Sequence, residues 1–241
     1  MPELTDAVGG QGRALREALL VSAAVTFAVA ATAMFLPPAW HTTVVALIFF
    51  GAVWLLVWRG DDDTVRRAGL SLGGLVIPGP LSVPDLLLAA LRALGWAAAL
   101  LAIVAVPFFF AWRSWWGPKL TFSLGHHPLD VETELLAQVL IIALPEEAFY
   151  RGYLQSRLDE AWEPRWRVLG AWVGPGWLVS AAIFALGHLA TVPSPARLAV
   201  FFPALAFGWL RARTGGIGAS TAFHAGCNVY SLLLGRGYGL Y

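Results

Sequence analysis

The chain has 241 residues, 58% of them hydrophobic and 13% charged, with a mean hydropathy of +0.68 and a formal net charge of +1. A soluble domain carries about twice that share of charge, so an ordinary soluble domain is excluded. The net charge says nothing about nucleic acid, which is not expected as a partner, and there is no basic tail or polyanion-binding run. The single cysteine, Cys227, excludes an internal disulfide and a cysteine-rich zinc site.

Residues 1–17 read as a polar leader. After them come seven apolar stretches compatible with the roughly 20 residues that a spanning helix needs: Ala18–Leu36, Thr42–Trp58, Pro84–Trp112, Glu134–Leu158, Pro175–Ala190, Arg197–Leu210 and Gly216–Leu234. The third is long enough to tilt; the fifth and sixth are short. The predicted fold is an all-α polytopic transmembrane bundle of about seven helices, with six to eight compatible. Residues 18–130 form its N-terminal part with an interfacial loop, and residues 131–241 its core. Arg13 and Arg16 ahead of an apolar core, with Ala31-Thr32-Ala33 behind it, loosely fit a cleaved signal peptide. The polar leader is long, however, and the apolar run continues to Leu36, so an uncleaved first helix is expected. Pro37 and Pro38 separate the first two helices into a tight hairpin, because proline ends a helix and restrains the residue before it. The only long hydrophilic connection lies between helices two and three, over residues 59–84.

Lys/Arg placement sets the expected orientation. With the N-terminus inside, twelve basic residues fall on inner segments, and four, Arg113, Lys119, Arg197 and Arg236, on outer ones. This predicts a multi-pass protein of the inner (plasma) membrane, with a cytoplasmic N-terminus and an outer C-terminus. The 12 tryptophans read as interfacial belts and core, and His41, His126 and His127 as loop residues.

Ionisable side chains inside spanning helices cost about 2.5–3.5 kcal/mol each and mark functional sites. Here they are Glu146 and Glu147 in the fourth helix, His188 in the fifth, and His224 with Asn228 in the seventh. Counted from a shared membrane face at about 1.5 Å per residue, all lie roughly 12–20 Å deep, in one layer. Glu147 and Arg151 are four apart with the glutamate first, the favourable order for a helical ion pair; Glu146 points about 100° away and is the free carboxylate. Phe184 lies one turn below His188, and His224 and Asn228 share a face. Pro145 removes a backbone hydrogen bond just before the glutamates. Taken singly, these residues read as an ion pair and as polar contacts between helices; taken at one depth, they read as a site.

The motifs "EEAFYR" (Glu146–Arg151), "FALGH" (Phe184–His188) and "HAGCN" (His224–Asn228) match, in order and spacing, the pattern EExxxR, FxxxH, HxxxN. In this the chain resembles the CPBP family, the CAAX proteases and bacteriocin-processing (Abi) intramembrane proteases. The resemblance implies a helical membrane fold with a conical cavity and an intramembrane endopeptidase that uses no metal or other cofactor. It makes Glu146 the base, His188 its partner in activating water, and His224 with Asn228 the oxyanion site, with Glu147, Arg151 and Phe184 supporting. The substrate it implies is a membrane-tethered or lipidated protein or peptide. A helix hides its amides in internal hydrogen bonds, so the segment cut is expected to be extended, and a tethered precursor or sorting tail is favoured over a prenylated end.

Rival chemistries use some of the same residues. Ser220 stands four before His224 but near a helix start, and Cys227 reads as a packing residue. A paired-aspartate mechanism lacks its residues, since Asp85 lies at a helix end. Glu146, His188 and His224 have the ligand types of a zinc hydrolase. A proton-coupled transporter or a non-catalytic immunity scaffold is the non-enzyme alternative.

Overall fold

The computed structural model describes residues 2–123 and 131–240. His126 and His127, and the expected boundary at residues 130/131, lie at or outside the edge of the described residues. The described chain is all-α apart from one short β-hairpin.

Helix α1 (Pro2–Phe35) is followed almost at once by α2 (Pro38–Val53), which continues as a π turn, Trp54–Trp58. Pro37 is the extended N-cap of α2 (φ −61°, ψ 144°) and Pro38 fills the first helical position, where a missing N–H costs nothing. Helix α3 (Asp62–Arg67) is short and well capped. The Asp61 carboxylate accepts the Thr64 N–H at 2.8 Å, acidic residues occupy the first turn, and arginines the last. Helix α4 (Val83–Trp116) is 34 residues long and ends on Gly117 in the left-handed conformation (φ 52°).

The next helix, α5, is one run of five segments: Val131–Ala137, a π segment Gln138–Ala143, Leu144–Glu147, a second π segment Ala148–Gln155, and Ser156–Ala161. Strands β1 (Trp166–Val168) and β2 (Ala171–Val173) pair antiparallel across Leu169-Gly170, both at positive φ, a turn whose twist matches that of the strands. Helix α6 (Pro175–Thr191) starts on proline, as its sequence predicts. A 3-10 turn (Pro195–Val200) leads to α7 (Phe201–Thr214), and α8 (Gly218–Gly237) closes the bundle.

Among the described residues, three helices are long and apolar enough to cross a membrane on length and composition: Gly10–Phe35, Pro38–Trp58 and Val83–Trp116, with Pro175–Thr191 a shorter apolar one. The other predicted spans are helical as well but lack that signature for physical reasons. Helix α5 carries the buried charges, and α7 has only 14 residues, about 21 Å at 1.5 Å per residue. The apolar helices show side chains outward: Phe27 of α1, Ile103 of α4 and Phe202 of the shorter α7 are each at least 70% exposed, the arrangement that lipid rather than water stabilises.

The bundle has two distinguishable ends. At one end the Arg157 guanidinium meets Glu17 of α1 at 2.6 Å. There too Arg211 of α7 donates to the Arg67 carbonyl (2.6 Å) and the Ser156 hydroxyl (3.0 Å), and the Trp209 indole donates to the Val168 carbonyl of β1 (2.9 Å). At the other end Arg236 of α8 pairs with Glu134 of α5 at 2.7 Å, and the Ser123 N–H meets the Gly237 carbonyl at 2.8 Å.

The hydrophilic connection after α2 is folded into the first end. Val65 and Leu70 are buried, and the Leu70 side chain sits on Gly152 of α5 so closely that a Cβ there would lie 2.6 Å from a leucine methyl. Gly152 is thus an absence of side chain that lets the connection dock. Overpacking of this kind costs about 1–3 kcal/mol. Gly152→Val is therefore expected to lower the melting temperature and folded yield in detergent, and adding Leu70→Ala to restore much of both. Equal stability of Gly152→Val and the wild type in a thermal melt would show that the contact does not matter.

Candidate active site

The site is built around the irregular part of α5. Pro145 has no N–H, and its ring crowds the carbonyl four residues back, at Ile141. The helix widens into a π segment over Gln138–Ala143, just before the proline, and again over Ala148–Gln155, just after the glutamates. Such widening is frequent at functional sites because it re-aims side chains. Between the two segments, Glu146 and Glu147 point in different directions.

Glu147 is fully buried, with one oxygen engaged and the other, Oε2, without a hydrogen-bond partner. One of its oxygens, Oε1, faces the Arg151 guanidinium at 3.4 Å and His224 Nδ1 at 3.0 Å. Arg151, 1% exposed, also donates to the Ala204 carbonyl of α7 at 3.1 Å, and its guanidinium lies 4.5 Å from the Phe184 ring centre and 5.1 Å from that of Phe207. His224 stacks on Phe207, with ring centres 4.5 Å apart and planes 14° apart. A buried ion pair is tolerated only when further hydrogen bonds and faces satisfy it; here α5, α6, α7 and α8 all contribute.

Glu146 is in a different situation. Its Oε2 is buried without a hydrogen-bond partner, and its nearest ionisable neighbour is His224 Nε2, at 3.9 Å. Glu146 and His188 line the same cavity of about 410 Å³, together with Tyr150 and Gly187. Its remaining walls come from α1 (Thr26, Val29, Ala33) and the start of α2 (His41, Thr42, Val45). His188 Nδ1 lies 3.0 Å from the Phe184 carbonyl. A carbonyl can only accept, so Nδ1 carries the proton and the neutral ring presents Nε2 as an acceptor. Phe184 supports His188 ring to ring, with centres 4.5 Å apart.

Several expectations need correction. Glu146 and His188 line one cavity, and the imidazole nearest either carboxylate is that of His224. His224 Nδ1 lies 3.0 Å from Glu147, a partner that the sequence did not give. The Asn228 amide donates to Gln138 Oε1 at 2.9 Å. His41 is no loop residue: it lies in the first turn of α2, Nε2 2.8 Å from the Leu36 carbonyl, and lines the cavity. Ser220 gives its hydroxyl to the Ile217 carbonyl (2.9 Å), and Cys227 is buried. Among the described residues, no group of three or more His, Cys, Asp or Glu is arranged to hold a metal ion, so Glu146, His188 and His224 do not form the zinc set their types allow.

Three residues were missed from sequence: Gln138, Tyr150 and Phe207. Gln138 is the lone polar residue in "LLAQVLIIALP", a signal that could have been read. The Tyr150 hydroxyl lies where a Cβ on Gly187 would be, 2.8 Å away, which nothing in the sequence announces.

The geometry defines a buried carboxylate–imidazole site in a helical membrane bundle. Residues 128–230, which contain all three motifs, match the family model described as type II CAAX prenyl endopeptidase, Rce1-like, a model within the CPBP/CAAX protease family. That family acts on prenylated or membrane-associated proteins as intramembrane proteases. No curated protein and no solved structure matches the chain.

Removing one partner of a buried ion pair costs about 3–5 kcal/mol because the other charge is left uncompensated. Arg151→Ala should therefore sharply reduce folded yield, while the double variant Arg151→Met/Glu147→Gln should regain much of it without regaining function. A melting curve of Arg151→Ala that overlays the wild type would contradict the buried-pair account.

Proposed function

We propose that this protein is an intramembrane endopeptidase of the glutamic type, which cleaves a membrane-associated protein or peptide with a water activated by Glu146 and His188. The observation that carries the reading is the division of labour between adjacent glutamates. Each glutamate keeps one buried oxygen without a hydrogen-bond partner, but the other oxygen of Glu147 faces Arg151 and His224 away from the cavity, whereas Glu146 stands in the cavity wall with no arginine beside it.

Peptide hydrolysis by water needs an acceptor for the water proton, a route for a proton to the leaving amine, and donors for the tetrahedral oxyanion. A water in the cavity can donate one hydrogen to the Glu146 carboxylate and the other to His188 Nε2, leaving its lone pair for the scissile carbonyl. Glu146, once protonated, returns that proton to the departing nitrogen. His224 directs Nδ1 at Glu147, and a proton on its Nε2 would serve the oxyanion. Asn228 retains one amide hydrogen beyond the bond to Gln138 for the same purpose. The hydrophobic walls lower the local dielectric, so each of these hydrogen bonds is stronger than in bulk water.

Loss of a general base typically costs 10²–10⁴ in rate. Glu146→Gln and His188→Ala should each lower cleavage of a reporter substrate by about that factor, with melting temperatures within a few degrees of wild type. Asn228→Ala should lower kcat by about 10²–10³, the usual effect of removing one oxyanion donor. Wild-type turnover by purified Glu146→Gln would dismiss the assignment.

Metal removal tests the same reading from another side. Activity is expected to survive dialysis against a strong chelator, because the four side chains supply base, acid and oxyanion donors. Stoichiometric metal in the active protein, with activity lost on its removal and restored on its return, would transfer the histidines to a ligand role.

A further inference from the structure

The cavity has a direction. From Glu146, Tyr150 and Gly187 its lining runs along Val29 and Val45 to Ala33, His41, Thr42, Thr191 and Val192. These last residues are the end of α1, the start of α2 and the end of α6, which all meet at one end of the bundle. Thr42 and Val192 are exposed there. Toward the other end the path is shut. All eight residues from Ala148 to Gln155 are buried, and Leu70 is packed against Gly152 beneath them.

The shut end is also the basic one. Arg67, Arg157, Arg211 and Arg213 cluster around it, with Arg165 and Arg167 on the adjoining hairpin. Lys/Arg-rich segments near span ends stay in the cytoplasm.

We propose, building on the endopeptidase reading, that the catalytic cavity opens on the extracytoplasmic side of the membrane. The substrate is then a membrane-tethered protein whose cleavage segment lies on that side, not a lipidated tail presented from the cytoplasm. The wall facing Glu146 is made of Val29, Ala33, Val45 and Ala46, with threonines at the mouth. This admits an extended segment of small apolar side chains past a stretch of wall that carries no charge between His41 at the mouth and Glu146. The hairpin α1–α2 precedes the family-matched region, so this chain's own N-terminal half supplies the selective wall.

Thiol labelling tests the direction without any cleavage. Cys227 is the only native thiol and is buried; if it labels, Cys227→Ala supplies the background. Thr42→Cys at the mouth and Thr214→Cys at the basic end are expressed in a bacterial host and exposed, in intact spheroplasts, to a membrane-impermeant maleimide. Thr42→Cys should label in intact spheroplasts, and Thr214→Cys only after lysis. The reverse pattern, or labelling of Thr42→Cys only after lysis, overturns the proposal; so does failure of Thr42→Cys to label in detergent, which would mean that no open mouth exists.

The second arm uses purified Thr42→Cys and a reporter peptide with an extended Val/Ala segment. Blocking the thiol with a bulky maleimide should cut its cleavage at least tenfold, and unchanged cleavage would overturn the mouth as the substrate route. Should the labelling pattern hold while neither Thr42→Cys nor wild type cleaves any peptide, the endopeptidase reading fails and the direction of the cavity stands.

Discussion

A carboxylate sealed from solvent must be neutralised or paired, and in this chain the Glu147 carboxylate sets the terms for everything around it. Burying an ion in a medium of low dielectric carries a penalty of several kcal/mol, and here one glutamate oxygen gathers an arginine from its own helix and a histidine from α8. The arginine in turn reaches the Ala204 carbonyl of α7 and lies against the Phe184 and Phe207 rings. Four helices are thereby fixed at one depth by a single electrostatic requirement, in a bundle where lipid tails offer helices little hydrophobic reason to associate.

That arrangement leaves the neighbouring glutamate free. Glu146 differs from Glu147 by one position in sequence and by its entire environment: it faces a cavity and His188 instead of a guanidinium. Two π segments flank the pair. A regular helix would give adjacent residues a 100° separation, and the widened turns, prompted by Pro145, set where that separation points.

The chain outside the family-matched region is tied to the site physically. Leu70 closes the bundle beneath α5, Arg211 fastens the connection before it, and the α1–α2 hairpin walls the cavity. The N-terminal half is therefore part of the binding geometry even though no motif in it signals this.

The helices and the motif residues were legible in the sequence, because a 20-residue apolar run and a proline-punctuated hairpin are local, and because charges in oil are costly enough to be conspicuous. The pairing of Glu147 with Arg151 followed from a four-residue spacing. What the tertiary structure decided was everything that depends on which faces meet. It set His224 against Glu147 and Asn228 against Gln138, drew His41 from an expected loop into the cavity, and packed the connection after α2 into the floor. Spacing along one helix fixes direction on that helix only. Contacts between helices depend on crossing geometry and on π turns that shift register, and neither is written in the residues that finally touch.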